Sequence, residues 1–184
     1  GGHLGDEDDR LHAAQRAEFV RARFMEENLQ SVEMDSIGNV YACYGRDRQS
    51  STKKRPPLIV SAHLDTVFPA SVDLRVEREP ERILAPGIGD NSLGVAGLFG
   101  LVWVLRERDL CLPGDLWLVA NVCEEGLGNL RGMQAVVDHF ESGYKETSEQ
   151  SLPVAYIVNE GMALRQVYLR GLGVRRYRLS VRTA

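Results

Sequence analysis

The sequence has few cysteines, no excess of positive charge and no long apolar run. Its three cysteines, Cys43, Cys111 and Cys123, are far apart and odd in number, so neither a disulfide framework nor a Cys-x-x-Cys metal site is predicted. We therefore expect a reducing compartment and a cytoplasmic protein. No run approaches the roughly 20 apolar residues that span a bilayer, and the acidic N-terminus does not resemble a signal peptide. No membrane partner is expected.

The charge and composition exclude two further classes of protein. The 22 basic and 26 acidic residues give a net charge of −4, which argues against a nucleic-acid partner. At 43% hydrophobic and 26% charged residues, the chain is too apolar to be disordered. Its 184 residues suffice for one large domain or two small ones.

Hydrophobic patterning predicts an α/β fold. Asp35-Ser-Ile-Gly-Asn39 has turn composition, and short apolar runs typical of buried strands alternate with segments of helical periodicity. The predicted helices are residues 9–27, 92–106 and 130–140, and the predicted strands are residues 40–44, 58–62, 116–122 and 154–158, a hairpin of 73–77 and 82–84, and two tail strands, 166–170 and 175–182. This alternation predicts a mixed, largely parallel sheet flanked by helices.

Potential metal ligands follow the predicted buried strands where each strand ends. In α/β sheets, functional residues gather at the carboxyl ends of the strands. One imidazole and five carboxylates are expected at this edge, and bound cations are the usual remedy for the resulting repulsion. These residues are His63 and Asp65, Asp90 at the start of a helix, Glu124 and Glu125, and Glu160.

Each of these residues also has a purely structural explanation. His63 could be a hydrogen-bonded histidine at a strand end, Asp90 a helix cap, and Glu124 with Glu125 a solvated pair. The conjunction of four separate segments favours a metal site instead. Imidazole with carboxylates and no thiolate suits Zn²⁺, Mn²⁺ or Co²⁺, and two bridged ions would be a hydrolytic arrangement.

Other active sites find weaker support in the sequence. Ser61 and Ser92 lack a nucleophile elbow, and Cys123 lacks a convincing histidine partner. The glycine-rich segment 87–94 has no Walker lysine, which argues against a sugar- or nucleotide-handling domain.

Four motifs together resemble those of the co-catalytic zinc peptidase family that includes glutamate carboxypeptidase, the aminoacylases, peptidase T and succinyl-diaminopimelate desuccinylase. The resemblance extends from about Arg16 to the end of the chain and implies a zinc-exopeptidase-like three-layer sandwich. The motifs are Ser61-Ala-His63-Leu-Asp65-Thr-Val67, Gly87-Ile-Gly89-Asp90-Asn91-Ser-Leu-Gly94, Cys123-Glu124-Glu125-Gly-Leu-Gly128 and Asn159-Glu160-Gly161.

The resemblance also implies a role for each residue. His63 and Glu160 would bind one zinc, Asp90 would bridge, and Glu125 would bind the other zinc. Asp65 would orient His63, and Glu124 would be the general base that takes a proton from the attacking water. Glutamate at position 160 leans towards carboxypeptidase-like or N-acyl-amino-acid substrates.

The sequence departs from the family pattern in two respects. The family's second zinc takes a further histidine from far downstream, but no histidine follows Glu160 here, and the others are His3, His12 and His139. The family also has a lid or dimerisation domain. We therefore expect residues 1–170 to be the N-terminal part of the catalytic domain. Residues 171–184 would be the approach to an absent lid domain and its first strand, and the complete protein could form a homodimer through that lid.

The sequence thus predicts a zinc-dependent hydrolase that cleaves small peptides or N-acyl amino acids through a metal-activated water. The alternative is a truncated, non-catalytic relative that serves as a binding or assembly module, and the missing histidine favours it. On the first interpretation the complete enzyme holds two zinc ions, with Co²⁺ or Mn²⁺ possible, whereas the 184-residue chain itself is expected to hydrolyse little.

Overall fold

The computed structural model describes residues 7–45, 55–69, 71–146, 152–161, 166–171 and 181. Within these ranges the helices are α1 (Glu7–Glu26), α2 (Leu93–Glu107) and α3 (Arg131–Glu146), and the strands are β1 (Gln30–Met34), β2 (Val40–Tyr44), β3 (Leu58–His63), β4 (Glu77–Glu79), β5 (Arg82–Leu84), β6 (Leu116–Asn121) and β7 (Ala155–Val158).

Five of the strands form one mixed sheet in the order β1-β2-β6-β3-β7. Strand β3 runs parallel to both β6 and β7, whereas β2 is antiparallel to β6 and to β1. Four of the five strands therefore point the same way. Because His63 pairs with Asn121, β3 and β6 end level with each other.

Helices cover both faces of this sheet. Helices α1 and α2 pack on one face through Phe24, Leu98 and Val102, against inward residues of β2, β3 and β6. Helix α3 packs on the other face, where Val136 joins Tyr41 and Ile59. Strands buried on both faces need apolar residues at successive positions, which explains the short apolar runs in the sequence. The predicted fold class, a mixed and largely parallel sheet flanked by helices, is confirmed.

Several predicted elements differ from the structure. Strand β1 was not predicted, because its exposed residues surround a single half-buried Val32 and its pairing with β2 is irregular. The hairpin's first strand lies at Glu77–Glu79 and not at 73–77. Residues 166–170 form no strand, and the prediction for 175–182 falls outside the described residues except at Val181, which lies in no strand or helix.

The expectation that no segment could span a membrane needs a correction for α2. Within the described ranges, Ile88–Glu107 is long and apolar enough to cross a bilayer by length and composition alone. Leu98, Phe99, Val102 and Leu105 of this helix are buried against the sheet. That packing is typical of a core helix, whose apolar composition serves the interior of the domain.

The packing of α2 gives a stability prediction. Leu98→Ala removes a fully buried side chain from the core and is expected to lower the free energy of unfolding by about 2–5 kcal/mol. Val104→Ala, on the half-exposed side of the same helix, is the control and should change it by about 0.5 kcal/mol or less. Urea unfolding measures both, and equal losses would show that α2 does not pack on the sheet as described.

Candidate metal centre

The predicted site residues converge at the carboxyl ends of the parallel strands. His63 is the last residue of β3, Glu124 and Glu125 follow β6, and Glu160 follows β7. Asp90 lies in the distorted turn Ile88–Ser92, which contacts β3 and leads into α2. Four segments that are distant in sequence therefore contribute to one edge of one sheet, as the order of the strands requires.

His63 is the centre of the cluster. Its side chain is only 2% exposed, and its Nε2 atom lies 3.0 Å from Asp90 Oδ1 and 3.6 Å from Glu160 Oε2. Its Nδ1 atom lies 3.0 Å from the backbone carbonyl oxygen of Asp65. A proton on Nδ1 would be held by that carbonyl, which leaves Nε2 free to bind a cation between the two carboxylates.

The possible ligand atoms form two groups that share this histidine. His63, Asp90 and Glu160 offer atoms within 4.8 Å of one another, and so do His63, Glu124 and Glu125. The first group has the composition predicted for one zinc. The second places Glu125 with Glu124 and His63, whereas a bridging role for Asp90 stays a prediction. An imidazole with carboxylates suits Zn²⁺, Mn²⁺ or Co²⁺, so the donor set fits a divalent metal.

The electrostatics of the cluster favour a bound cation. Burial would by itself lower the pKa of His63, but the nearby carboxylates of Asp65 and Glu160 outweigh it and raise that pKa to about 11. Burial raises the pKa of Glu124 and of Glu125, and neighbouring carboxylates raise both further. The acids therefore repel one another in the absence of a cation, and a bound metal ion would reduce that repulsion.

Asp65 connects the histidine to the loop after β6. Its Oδ2 atom accepts a hydrogen bond of 2.8 Å from the backbone N–H of Glu125. Its buried Oδ1 atom has no hydrogen-bond partner among the described residues and lies 3.7 Å from His63 Nδ1. Burial would raise the pKa of Asp65, but the neighbouring His63 and the backbone N–H groups of Glu125 and Glu124 lower it. The Asp65 carboxylate therefore holds the backbone of Glu125, whereas its orienting role towards His63 stays a prediction.

Two asparagines, which the sequence did not single out as functional, hold the segments of Asp90 and Glu160 together. Asn91 Nδ2 donates to the backbone oxygen of Asn159 at 2.8 Å, and Asn159 Nδ2 donates to the backbone oxygen of Gly94 at 2.8 Å. Asn91 Oδ1 accepts from Gly94 N at 3.0 Å, so Asn91 caps α2, whereas Ser92 makes no capping hydrogen bond.

Glycine makes this contact possible. A Cβ atom at Gly161 would lie 1.8 Å from the backbone oxygen of Gly89, which no side chain could tolerate. The segments that carry Asp90 and Glu160 are therefore in direct backbone contact. The glycines that flank both acids in the sequence are the signal by which such a contact could be recognised.

Of the other histidines, the two that the structure describes, His12 and His139, belong to neither group. The ring of His139 on α3 stacks on Tyr41 with 4.7 Å between centroids, and its Nε2 atom lies 3.7 Å from Glu33. His12 lies on α1, and His3 falls outside the described residues. In the described part of the chain, His63 is the sole imidazole in both groups.

Comparisons with known proteins identify a family for the sequence and relatives for the fold. Residues 59–171 match the family described as Peptidase family M20/M25/M40, and no curated protein sequence is similar enough to match. The fold is similar to LapA of Legionella pneumophila, with a TM-score of 0.57 and 17% identity. It is also similar to LapB of the same organism, at 0.51 and 18%, and to the aminopeptidase PepT of Bacillus cereus, at 0.55 and 18%.

These similarities cover most of this chain but a minor part of the others. They span 84%, 83% and 70% of this chain, against 38%, 36% and 35% of LapA, LapB and PepT. The chain therefore spans little more than a third of those structures. At such low identity the similarity shows the fold and not the activity.

The geometry predicts different metal losses for two aspartate variants. Asp90→Ala removes a carboxylate that lies beside His63 Nε2, whereas Asp65→Ala removes a carboxylate on the other side of the ring, nearer to Nδ1. We expect Asp90→Ala to lose more zinc, since an outer partner such as Asp65 tunes metal affinity by about 10–100-fold. Metal analysis after dialysis measures the difference. Equal zinc retention would mean that Asp90 is not a ligand.

Proposed function

We propose that this chain, which belongs to the peptidase family M20/M25/M40, carries catalytic residues of a metal-dependent hydrolase that cleaves peptide or amide bonds. The observation that carries the proposal is the buried His63, which has Asp90 with Glu160 on one side and Glu124 with Glu125 in a second group. Divalent ions bound there would supply Lewis acidity, which polarises a carbonyl oxygen and lowers the pKa of a water molecule.

The protein's own residues would then divide between binding and proton transfer. His63, Asp90 and Glu160 form the group with three possible ligands for one ion, and Glu125 is the proposed ligand for a second. Glu124 is the proposed general base, which would take a proton from water at its carboxylate and pass it to the leaving amine. In the metal-free chain, burial and the neighbouring acids raise the pKa of Glu124.

Small peptides and N-acyl amino acids are the proposed substrates. LapA and PepT are described as aminopeptidases, so peptides with a free amino terminus should be tested first. Glutamate at position 160 favours carboxypeptidase-like and N-acyl substrates, so these should be tested next. Dipeptides, aminoacyl nitroanilides and N-acyl amino acids, each assayed with Zn²⁺, Co²⁺ and Mn²⁺, test the proposal. Tight zinc binding without hydrolysis of any of them would support the non-catalytic alternative.

Glu124 gives the sharpest prediction about the reaction. Glu124→Gln keeps the size of the side chain but cannot accept a proton, so turnover should fall by about 10²–10⁴-fold while bound zinc is retained. Steady-state kinetics with metal analysis measures both quantities in a form of the protein that hydrolyses peptides. A near-normal kcat at full metal occupancy would remove Glu124 from the mechanism.

Zinc titration of the 184-residue chain tests the two ligand groups directly. The group of His63, Asp90 and Glu160 has three possible protein ligands, which water completes to the four of a typical zinc site. The other group shares its only imidazole with the first. We therefore expect about one tightly bound zinc per chain and a raised thermal midpoint. Two equally tight sites in calorimetry would show that another histidine completes the second group.

A further inference from the structure

The turn between β1 and β2 is distant in sequence from the site but contacts the loop that carries Glu124 and Glu125. Asn39 of this turn is fully buried, and its Oδ1 atom accepts a hydrogen bond of 2.9 Å from Val122 N. Its Nδ2 atom donates to the backbone oxygen of Gly132 at 3.1 Å. One side chain therefore binds the loop at its beginning and at its end.

Asp35 holds Asn39 in the orientation that this contact requires. Asp35 Oδ1 accepts from the backbone N–H groups of Ile37, Gly38 and Asn39 at 2.9–3.0 Å, which closes the turn. Asp35 Oδ2 accepts from Asn39 Nδ2 at 2.8 Å and from the hydroxyl of Tyr41 at 3.0 Å. The Asn39 amide is thus fixed by the turn itself before it contacts the loop.

The two ends of the loop meet beside Asn39. A Cβ atom at Gly132 would lie 1.7 Å from the backbone oxygen of Val122 and 2.9 Å from Asn39 Oδ1. Position 132 therefore requires glycine for this close approach, and residues 122–130 form a loop with a closed base. Removal of the Asn39 amide would take away the acceptor of the buried Val122 N–H at that base, which is a costly change.

We propose that Asn39 is a positioning residue for Glu124 and Glu125. It touches neither carboxylate, and it acts by closing the base of the loop from which both project. The inference rests on the proposed function, because those two glutamates are its proposed base and ligand. The other ligand group is held by the separate contact of Asn91 with Asn159 and should not depend on Asn39.

Hydrogen exchange of the metal-free chain tests the closure of the loop. In Asn39→Ala, the amides of residues 122–132 should exchange about 10-fold faster, because the local free energy of opening falls by the contribution of about one hydrogen bond. Val102→Ala, a buried change on the opposite face of the sheet, is the control for general destabilisation. An unchanged loop in Asn39→Ala, or an equal effect in Val102→Ala, would overturn the proposal.

Zinc binding supplies a readout that general destabilisation should not move. Asn39→Ala should weaken binding of the ion held by the Glu124 and Glu125 group by about 10-fold or more, as outer partners do, and leave the tight site unchanged. Zinc should also slow exchange of residues 122–132 less in this variant than in the unaltered chain. Loss of the tight site instead would place the effect elsewhere and contradict the proposal.

A second variant covers the case in which Asn39→Ala does not fold. Asp35→Asn keeps the size of the side chain that orients the Asn39 amide but replaces one of its acceptor oxygens, so it should loosen the base of the loop and raise exchange in the same residues. If it leaves them unchanged, the closed base does not position the loop. Failure of the proposed function is a separate result, since a chain that hydrolyses no substrate and binds no zinc would still report loop exchange.

Discussion

Mutual repulsion among carboxylates around one buried imidazole is the constraint on which this structure depends. Five acids approach His63 where the parallel strands end, and burial together with neighbouring charge raises the pKa of Glu124 and Glu125. Such an arrangement does not stabilise a fold, because each desolvated charge costs free energy unless it is paired. The rest of the chain must therefore hold these side chains together against their repulsion, and a cation supplies the pairing that the protein alone lacks.

The sheet holds these side chains close together despite their repulsion. Strands β3 and β6 end level, and β7 adds a third parallel strand on the other side of β3. Strands β3 and β6 are buried between the helices on both faces, whereas β7 is largely exposed, so the prediction of a third buried strand at 154–158 is wrong in its burial. Sites supported in this way are more precise than sites on long loops.

Much of this could be predicted from the sequence, for identifiable reasons. Buried parallel strands produce short apolar runs, and the acids and the histidine directly follow them, so their convergence at one edge followed from topology. Strand β1 escaped prediction because its mostly exposed residues give little pattern. The glycines beside Asp90 and Glu160 hint at a close approach, but which backbone each one meets depends on tertiary packing, so the pairing of Gly161 with Gly89 was not predicted. The sequence correctly predicts that Asn39 belongs to a turn. Nothing local in Asp35-Ser-Ile-Gly-Asn39, however, indicates that its amide binds Val122 and Gly132.

The two ligand groups differ in how the fold supports them, and this difference has a physical consequence. Asp90 and Glu160 are joined by backbone contact at Gly161 and Gly89 and by the paired amides of Asn91 and Asn159. Glu124 and Glu125 instead lie on one loop, whose ends meet at Gly132 and Val122. Backbone N–H groups of that loop donate to Asp65 and Asn39, which belong to different parts of the chain. Backbone contact permits few alternative arrangements, whereas single hydrogen bonds contribute about 1 kcal/mol each. Asp90 and Glu160 therefore lie next to the glycines whose contact fixes them, whereas Glu124 and Glu125 lie between the fixed ends of their loop, where the hydrogen bond to Asp65 holds the backbone of Glu125.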